Sequence, residues 1–107
     1  MISDSILDIG CANGGLLEAL SDRGFTNLTG IDPSPTCIRH IKQRGFNGYV
    51  SEISKLNNDT IGSYNFIILS HVLEHIFDVN GAISIVNSLI NYEGLIYIEV
   101  PNASSYH

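Results

Sequence analysis

Glycines and an aspartate lie where a nucleotide-like ligand would need them. The segment Gly10–Gly15 (GCANGG) separates an apolar run from a helical pattern, and glycines there allow a sharp turn and close approach of a ligand to the backbone. The following helix start presents free N–H groups to a polar or anionic group. Asp32 follows Gly10 by 22 residues, where a carboxylate can accept hydrogen bonds from both ribose hydroxyls. The alternative is a tight turn without a ligand, in which Asp32 is a turn residue.

The kind of ligand depends on Ala12 and Asp8. In the NAD-binding pattern G-x-G-x-x-G the second glycine lets the backbone approach the pyrophosphate, whereas Gly10-x-Ala12-x-x-Gly15 has alanine there. Asp8 would repel a pyrophosphate but would tolerate a cationic sulfonium or ammonium group. Both features favour S-adenosylmethionine, and an NAD-binding dehydrogenase fragment is the alternative enzyme class.

On this hypothesis the residues of the turn have separate roles. Gly10, Ala12 and Gly14 would shape the methionine side of the site, and Asp8 would anchor the methionine ammonium directly or through water. Cys11 would contact the ligand through its backbone. The sequence shows no base near Cys11, so we assign its thiol no chemistry.

A second group of functional side chains follows the apolar run Asn65–Ser70. His71, Glu74 and His75 spell H-x-x-E-H, a pattern known from zinc sites on helices. We expect no metal, because that motif needs a long helix and a further glutamate ligand. Either Glu74 and His75 hold the loop beside the ligand through local hydrogen bonds, or an imidazole, which titrates near neutrality, takes a proton from a methyl acceptor. His71 is the candidate general base.

The elements that position these groups alternate between strands and helices. The predicted strands are Ser5–Ile9, Asn27–Ile31, Tyr49-Val50, Asn65–Ser70 and Leu95–Val100. The predicted helices run from Leu16 to near Gly24, over Thr36–Arg44 and over Asp78–Ile90, and Ser51–Ser63 is predicted to be irregular. The alternation of strands and helices, together with the continuous apolar run Asn65–Ser70, predicts an α/β fold with a parallel sheet between helices.

Composition excludes several other classes of function. The 107 residues carry a net charge of −6, from five Lys and Arg against eleven Asp and Glu, which argues against nucleic acid as a partner. No apolar run is long enough to span a membrane. The two cysteines and the absence of a signal-like start favour a reducing, cytoplasmic setting.

Four segments resemble the class I S-adenosylmethionine-dependent methyltransferases. Ile6–Gly14 (ILDIGCANG) resembles their motif I, D/E-x-G-x-G-x-G, with Ala12 at the second glycine. Gly30–Ser34 (GIDPS) resembles the segment after the second strand, whose acid binds ribose. Phe66–Ile76 (FIILSHVLEHI) and Gly94–Asn102 (GLIYIEVPN) are similar to the fourth- and fifth-strand segments of the branch with ubiquinone-biosynthesis and sugar methyltransferases. The segments occur in family order and cover nearly the whole chain.

The resemblance implies a Rossmann-like open parallel sheet of five strands in the order 3-2-1-4-5, with helices on both faces. It implies one S-adenosylmethionine-binding core domain over residues 1–107, without the family's terminal antiparallel hairpin of strands six and seven. The implied activity is methyl transfer to a small-molecule acceptor. A truncated module that binds the cofactor without an acceptor pocket is the non-enzymatic alternative. Two copies are expected to pair through the exposed edge of strand five.

The resemblance also implies further contacts with the cofactor. Pro33 would lie beside the ribose-binding acid. Ser51 or Glu52, just after the third strand, would touch the amino group of the adenine ring. Ser70 and His71, at the end of the fourth strand, would line the cofactor site. With the turn residues and the acid after the second strand, these positions complete the predicted site.

Overall fold

The computed structural model describes residues 2–70, 72 and 78–99. Strands and helices alternate along the chain. Their bounds are β1 (Ser5–Ile9), α1 (Gly15–Asp22), β2 (Asn27–Asp32), α2 (Pro35–Gln43), β3 (Asn47–Val50), a 3-10 turn (Ile53–Lys55), α3 (Asn58–Ile61), β4 (Tyr64–Ser70), α4 (Val79–Leu89) and β5 (Ile90–Glu99).

The five strands form one parallel sheet in the order β3-β2-β1-β4-β5. The first crossovers lead from β1 to β2 and then β3, and the chain afterwards returns to β4 on the other side of β1. This reversal leaves a crevice outside the carboxyl ends of β1 and β4, where ligands bind in open α/β sheets. The predicted α/β fold, strand order and Rossmann-like topology are confirmed.

Each face of the sheet is covered by helices. On one face α1 and α2 enclose a core of Ile6, Cys11, Leu17, Leu28, Ile38, Ile41 and Ile68. On the other face α4, α3 and the 3-10 turn cover Leu7, Ile9, Ile31, Tyr64, Ile67 and Leu69. Successive strand residues point to opposite faces, so the apolar run within β4 is explained by burial on both sides of the sheet.

Short side chains and proline fix the helix starts near the crevice. The Ser34 hydroxyl accepts from the N–H of Cys37 at 3.2 Å, and Pro35 occupies the first turn of α2. The Asp78 carboxylate accepts from the N–H of Gly81 at 2.9 Å and caps α4. Both caps satisfy N–H groups that a helix start leaves unpaired. In contrast, α1 begins without a side-chain cap.

Three predicted elements differ from the structure by more than one residue, and the first is β3, which begins at Asn47 rather than Tyr49. β5 begins at Ile90 rather than Leu95, because Ile90 pairs with Tyr64 directly after α4. Residues 91–94 then bulge outwards, with Glu93 at a φ of 63°, and pairing resumes between Phe66 and Leu95. The segment predicted to be irregular contains the 3-10 turn and α3. In the part of the chain that the structure describes, no helix is long and apolar enough to cross a membrane.

Candidate functional site

The turn between β1 and α1 is bound to the end of β2. Gly10 and Gly14 have φ angles of 81° and 83°, a left-handed conformation that glycine adopts without steric cost. The N–H groups of Gly10 and Cys11 both donate to the carbonyl of Ile31, at 2.8 and 2.9 Å. Ala12 has a φ of 49°, so it adopts the left-handed conformation despite its Cβ. The geometry of the turn is therefore set mainly by its bonds to β2.

Asp32 connects the glycine turn to the loop after β2. One oxygen of its carboxylate accepts from the N–H of Ala12 at 3.0 Å, and the other accepts from the N–H of Ser34 at 2.9 Å. The side chain is half-buried. Because each carboxylate oxygen has two acceptor positions, both oxygens can still accept a ligand hydroxyl. Asp32 thus positions the turn and keeps acceptor capacity for a ligand.

The start of α1 offers free donors beside this carboxylate. Most N–H groups of the turn are used by hydrogen bonds within the protein. Among the residues that the structure describes, the first-turn N–H groups of Gly15–Leu17 have no acceptor. Such groups, together with the helix dipole, favour a negatively charged group at the start of a helix.

Asp8 lies beneath the turn, on the face of the sheet that α1 and α2 cover. It is only 3% exposed. Burial, and secondly the nearby charge of Asp32, raises the pKa of Asp8 to about 7. A cation bound nearby would therefore stabilise the ionised form of Asp8. The carboxyl is poised to ionise near neutral pH.

The thiol of Cys11 faces the core rather than the crevice. Its Sγ would lie 2.7 Å from a Cβ added at Gly30. Burial, followed by the charges of Asp8 and Asp32, raises the pKa of Cys11 to about 12. The thiol stays protonated near neutrality and is a poor nucleophile.

An open cavity of about 870 Å³ lies at the carboxyl ends of β1, β2 and β4 and reaches the start of α4. Its wall is mostly aliphatic, with a few hydroxyls and two carboxylates. The lining residues are Ile9, Gly10, Ile31, Pro33, Ser51, Glu52, Ile53, Ser54, Ser70, Val72, Asp78, Gly81, Ala82 and Ile85. This size and composition suit an aromatic ring with a small number of polar groups.

The structure divides the predicted site residues into three groups. Gly10, Pro33, Ser51, Glu52 and Ser70 line the cavity. Asp8, Cys11, Ala12, Gly14 and Asp32 belong to the turn or its supports and do not line the cavity. His71 lies outside the described residues, as do Glu74 and His75. Within the described ranges, no group of three or more His, Cys, Asp or Glu could hold a metal ion.

Sequence reasoning missed the aliphatic wall of the cavity. Ile53, Val72 and Ile85 line it, but apolar residues in these elements have the same pattern as core residues. Gly10 carries one indirect signal, because a Cβ there would lie 2.5 Å from a methyl of Val72. That contact shows that glycine lets the end of β4 approach the turn.

Comparison with known proteins agrees with this geometry. The methyltransferase domain family matches residues 3–107. The ubiquinone biosynthesis O-methyltransferase of Methylocella silvestris is 32% identical over 103 residues, which are 91% of this chain and 40% of that protein. The human EEF1A lysine methyltransferase 2 is 39% identical over 66 residues, which are 62% of this chain and 25% of that protein.

A solved structure shows the same arrangement of elements. The plantazolicin methyltransferase BpumL, in complex with a pentazolic desmethylPZN analog and SAH, matches with a TM-score of 0.84 and 27% identity. The match covers 94% of this chain and 40% of that chain. The present chain thus spans less than half the length of these relatives.

These observations define a class I methyltransferase fold. The chain belongs to the family of S-adenosylmethionine-dependent methyltransferase domains. Membership confirms the predicted family and its cofactor, S-adenosylmethionine. It also decides against the NAD-binding dehydrogenase that the glycine turn alone left open.

Proposed function

We propose that this chain binds S-adenosylmethionine across the carboxyl ends of β1, β2 and β4 and transfers its methyl group to a small-molecule acceptor. The observation that carries the proposal is the Asp32 carboxylate, which lies between the glycine turn and the loop after β2. In this position it can accept hydrogen bonds from the ribose hydroxyls. That residues 1–107 form one cofactor-binding domain is part of the proposal.

The adenine ring is assigned to the aliphatic cavity. Its exocyclic amino group is a donor and needs an acceptor there. The N–H of Ser51 donates to the carbonyl of Asp32 at 3.1 Å, and its hydroxyl donates to the carbonyl of Glu52 at 2.8 Å. Glu52 has an exposed carboxylate at the cavity wall. We therefore favour Glu52 over Ser51 as the residue that recognises the amino group.

The methionine half is assigned to the space before α1. Its carboxylate would accept from the free N–H groups of Gly15–Leu17, since an anion is stabilised at a helix start. Its ammonium and the sulfonium would lie in the negative potential of Asp8 and Asp32. Asp8 acts here through its charge, because its side chain is almost fully buried.

Methyl transfer at this site needs alignment more than chemical activation. A lone pair of the acceptor forms a bond to the methyl carbon while the carbon–sulfur bond breaks, and the bonding electrons move to sulfur. The sulfonium is already a good leaving group, so the protein contributes mainly proximity and orientation. The proton of the acceptor passes to a base, for which His71 remains the proposed residue.

Two kinds of relatives bear on the acceptor. The ubiquinone biosynthesis enzyme matches 91% of this chain, whereas the lysine methyltransferase matches 62%. The broader match favours a small molecule over a protein lysine. Because the chain spans 40% of the ubiquinone enzyme, activity and acceptor are proposals for the whole protein.

The test is methyl transfer from radiolabelled S-adenosylmethionine to two classes of acceptor, small phenols and amines in one arm and a lysine-rich protein in the other. The proposal expects label in the small molecules, with S-adenosylhomocysteine formed in equal amount. Label only in the protein would overturn the small-molecule assignment. Cofactor binding without transfer to any acceptor would overturn the catalytic assignment and leave a cofactor-binding module.

A further inference from the structure

Arg44 reaches the glycine turn from the side opposite the cavity. It follows α2 and donates its own N–H to the carbonyl of Ile41 at 3.1 Å. Its guanidinium donates to the backbone carbonyl of Asn13 and to the carboxylate of Glu18 on α1. The same group lies over the ring of Phe46, 5.8 Å from the centroid. One side chain thus joins the end of α2 to the turn and to α1.

Gly14 provides the space that this arrangement needs. A Cβ at Gly14 would lie 2.7 Å from Nη2 of Arg44 and 2.7 Å from Cγ2 of Ile41. The residue is buried on this side and has a φ of 83°. Its absent side chain therefore leaves room for the guanidinium and for Ile41.

These contacts restrain residues on both sides of the free N–H groups. Asn13 is held by Arg44 through its carbonyl, and its side-chain oxygen lies 3.6 Å from the thiol of Cys37 on α2. Glu18 belongs to the first turn of α1. Fixing both residues fixes the direction in which the N–H groups of Gly15–Leu17 point.

We propose that Arg44 is a positioning residue for the methionine half of the cofactor. It does not line the cavity, so its effect passes through the turn and the start of α1. The planar guanidinium suits this role because its fork of donors serves two acceptors at once. The inference rests on the proposed function, since it concerns the orientation of the same site.

The test compares two ligands that differ only at the methionine end. S-adenosylhomocysteine has the amino-acid group, and 5′-methylthioadenosine keeps adenine, ribose and a thioether but lacks it. Arg44→Met should weaken S-adenosylhomocysteine binding about tenfold, as expected for loss of charge-assisted hydrogen bonds, and change methylthioadenosine binding by less than about twofold. The affinity of Arg44→Lys for S-adenosylhomocysteine should lie between those of the wild type and Arg44→Met, because lysine keeps the charge but lacks the two-pronged guanidinium.

Arg39→Met is the matched control. Arg39 is exposed on α2, and replacing it removes the same charge as replacing Arg44, which directly follows that helix. It should leave both affinities within about twofold of the wild type, since solvent and salt screen an exposed charge. If Arg39→Met loses as much affinity for S-adenosylhomocysteine as Arg44→Met does, the proposal is overturned, because the change in net charge would then explain both losses.

Hydrogen exchange separates positioning from general destabilisation. Arg44→Met should speed amide exchange in residues 10–17 selectively, with β4 unchanged. If Arg44→Met binds both ligands more weakly by the same factor, or binds both as tightly as the wild type, the proposal is overturned. If Arg44→Met does not fold, Arg44→Lys is measured in the same way with the same criteria. A wild-type chain that binds neither ligand would overturn the proposed function instead.

Discussion

Asp8 is placed where its charge is unfavourable until a cation is bound. Its pKa of about 7 arises first from burial and then from the charge of Asp32. S-adenosylmethionine carries a sulfonium cation that S-adenosylhomocysteine lacks, so the ionised carboxylate favours the former. We expect the ratio of the two affinities to shift towards S-adenosylmethionine by about threefold to tenfold from one pH unit below this pKa to one unit above it. Calorimetric titration at both pH values measures the ratio.

Asp8→Asn provides the control, because the amide has a similar shape and cannot ionise. Its ratio of affinities for S-adenosylmethionine and S-adenosylhomocysteine should not change with pH.

The stability of the protein gives a second test of the raised pKa of Asp8. The pKa of Asp8 in the folded protein, about 7, exceeds the ordinary aspartate value of 3.8, so the folded state holds more protons between these values and stability falls as pH rises through this window. In urea unfolding of the cofactor-free protein, the free energy of unfolding of Asp8→Asn should therefore rise relative to that of the wild type as the pH is raised. A difference in unfolding free energy that does not change with pH would contradict this account.

Ala12 carries strain that glycine would relieve. Its φ of 49° lies in the left-handed region, which costs a residue with a Cβ about 1–2 kcal/mol. Ala12→Gly removes this cost and loses about 0.4–1 kcal/mol through the greater freedom of the unfolded chain. The substitution should be neutral to mildly stabilising by urea unfolding, with cofactor affinity preserved.

Ala19→Gly is the matched substitution in a regular helix. Ala19 is exposed within α1, where glycine costs about 1 kcal/mol. The two substitutions should therefore differ in their effect on stability. Equal destabilisation at both positions would show that the turn does not strain Ala12.

At the scale of elements, Gly30 determines how closely α2 and the glycine turn approach β2. A Cβ at this position would lie 2.7 Å from Sγ of Cys11 and 2.8 Å from Cδ1 of Ile41. Gly30→Ala should destabilise the protein by about 1–3 kcal/mol through overpacking. Cys11→Ala removes one of the two clashes, so the double variant should recover part of the loss. Unfolding free energies of the four proteins form the cycle, and strict additivity would contradict the predicted contact.

The positions of most elements could be predicted because their apolar pattern is local. β1 is found over the predicted residues, and β2, α2, β4 and α4 differ from their predicted bounds by one residue at either end. The start of β5 could not be predicted, since it depends on pairing between Ile90 and Tyr64 across the sheet. Gly94, a residue type that usually favours a turn, lies inside the bulge of this strand.

The site was predictable where topology alone places residues. Gly10 follows β1 and Asp32 is the last residue of β2, and because these parallel strands are neighbours, their carboxyl ends lie close together. Contacts that depend on how elements pack were not predictable. Arg44 reaches Asn13 only because α2 ends behind the turn, and Val72 contacts the turn only because Gly10 has no side chain.

At the scale of the whole molecule, β3 and β5 form the two edges of the sheet among the residues that the structure describes. β5 exposes several large side chains, with Tyr92 at 93%, Leu95 at 65% and Tyr97 at 48%. Because an exposed apolar edge strand favours pairing with another chain, we expect self-association through β5. Sedimentation over about a hundredfold range of concentration should show a dimer, as mass action requires.

Tyr97→Lys should weaken this dimer, because a charge at an edge strand opposes pairing. Val50→Lys is the control, since Val50 is exposed on β3 at the opposite edge. It should leave the dimer unchanged. A monomer throughout the range, or equal effects of both substitutions, would contradict association through β5.

The most direct test of the account is calorimetric titration of the chain with S-adenosylhomocysteine, with NADH as the comparison ligand. Asp32→Asn removes one acceptor from the site, and Asp22→Asn makes the same change in charge at an exposed position on α1. We expect binding of S-adenosylhomocysteine but not NADH, weakened about tenfold or more by Asp32→Asn and unchanged by Asp22→Asn. Absence of binding by the folded wild-type chain, or equal affinity in Asp32→Asn and wild type, would contradict the proposed cofactor site.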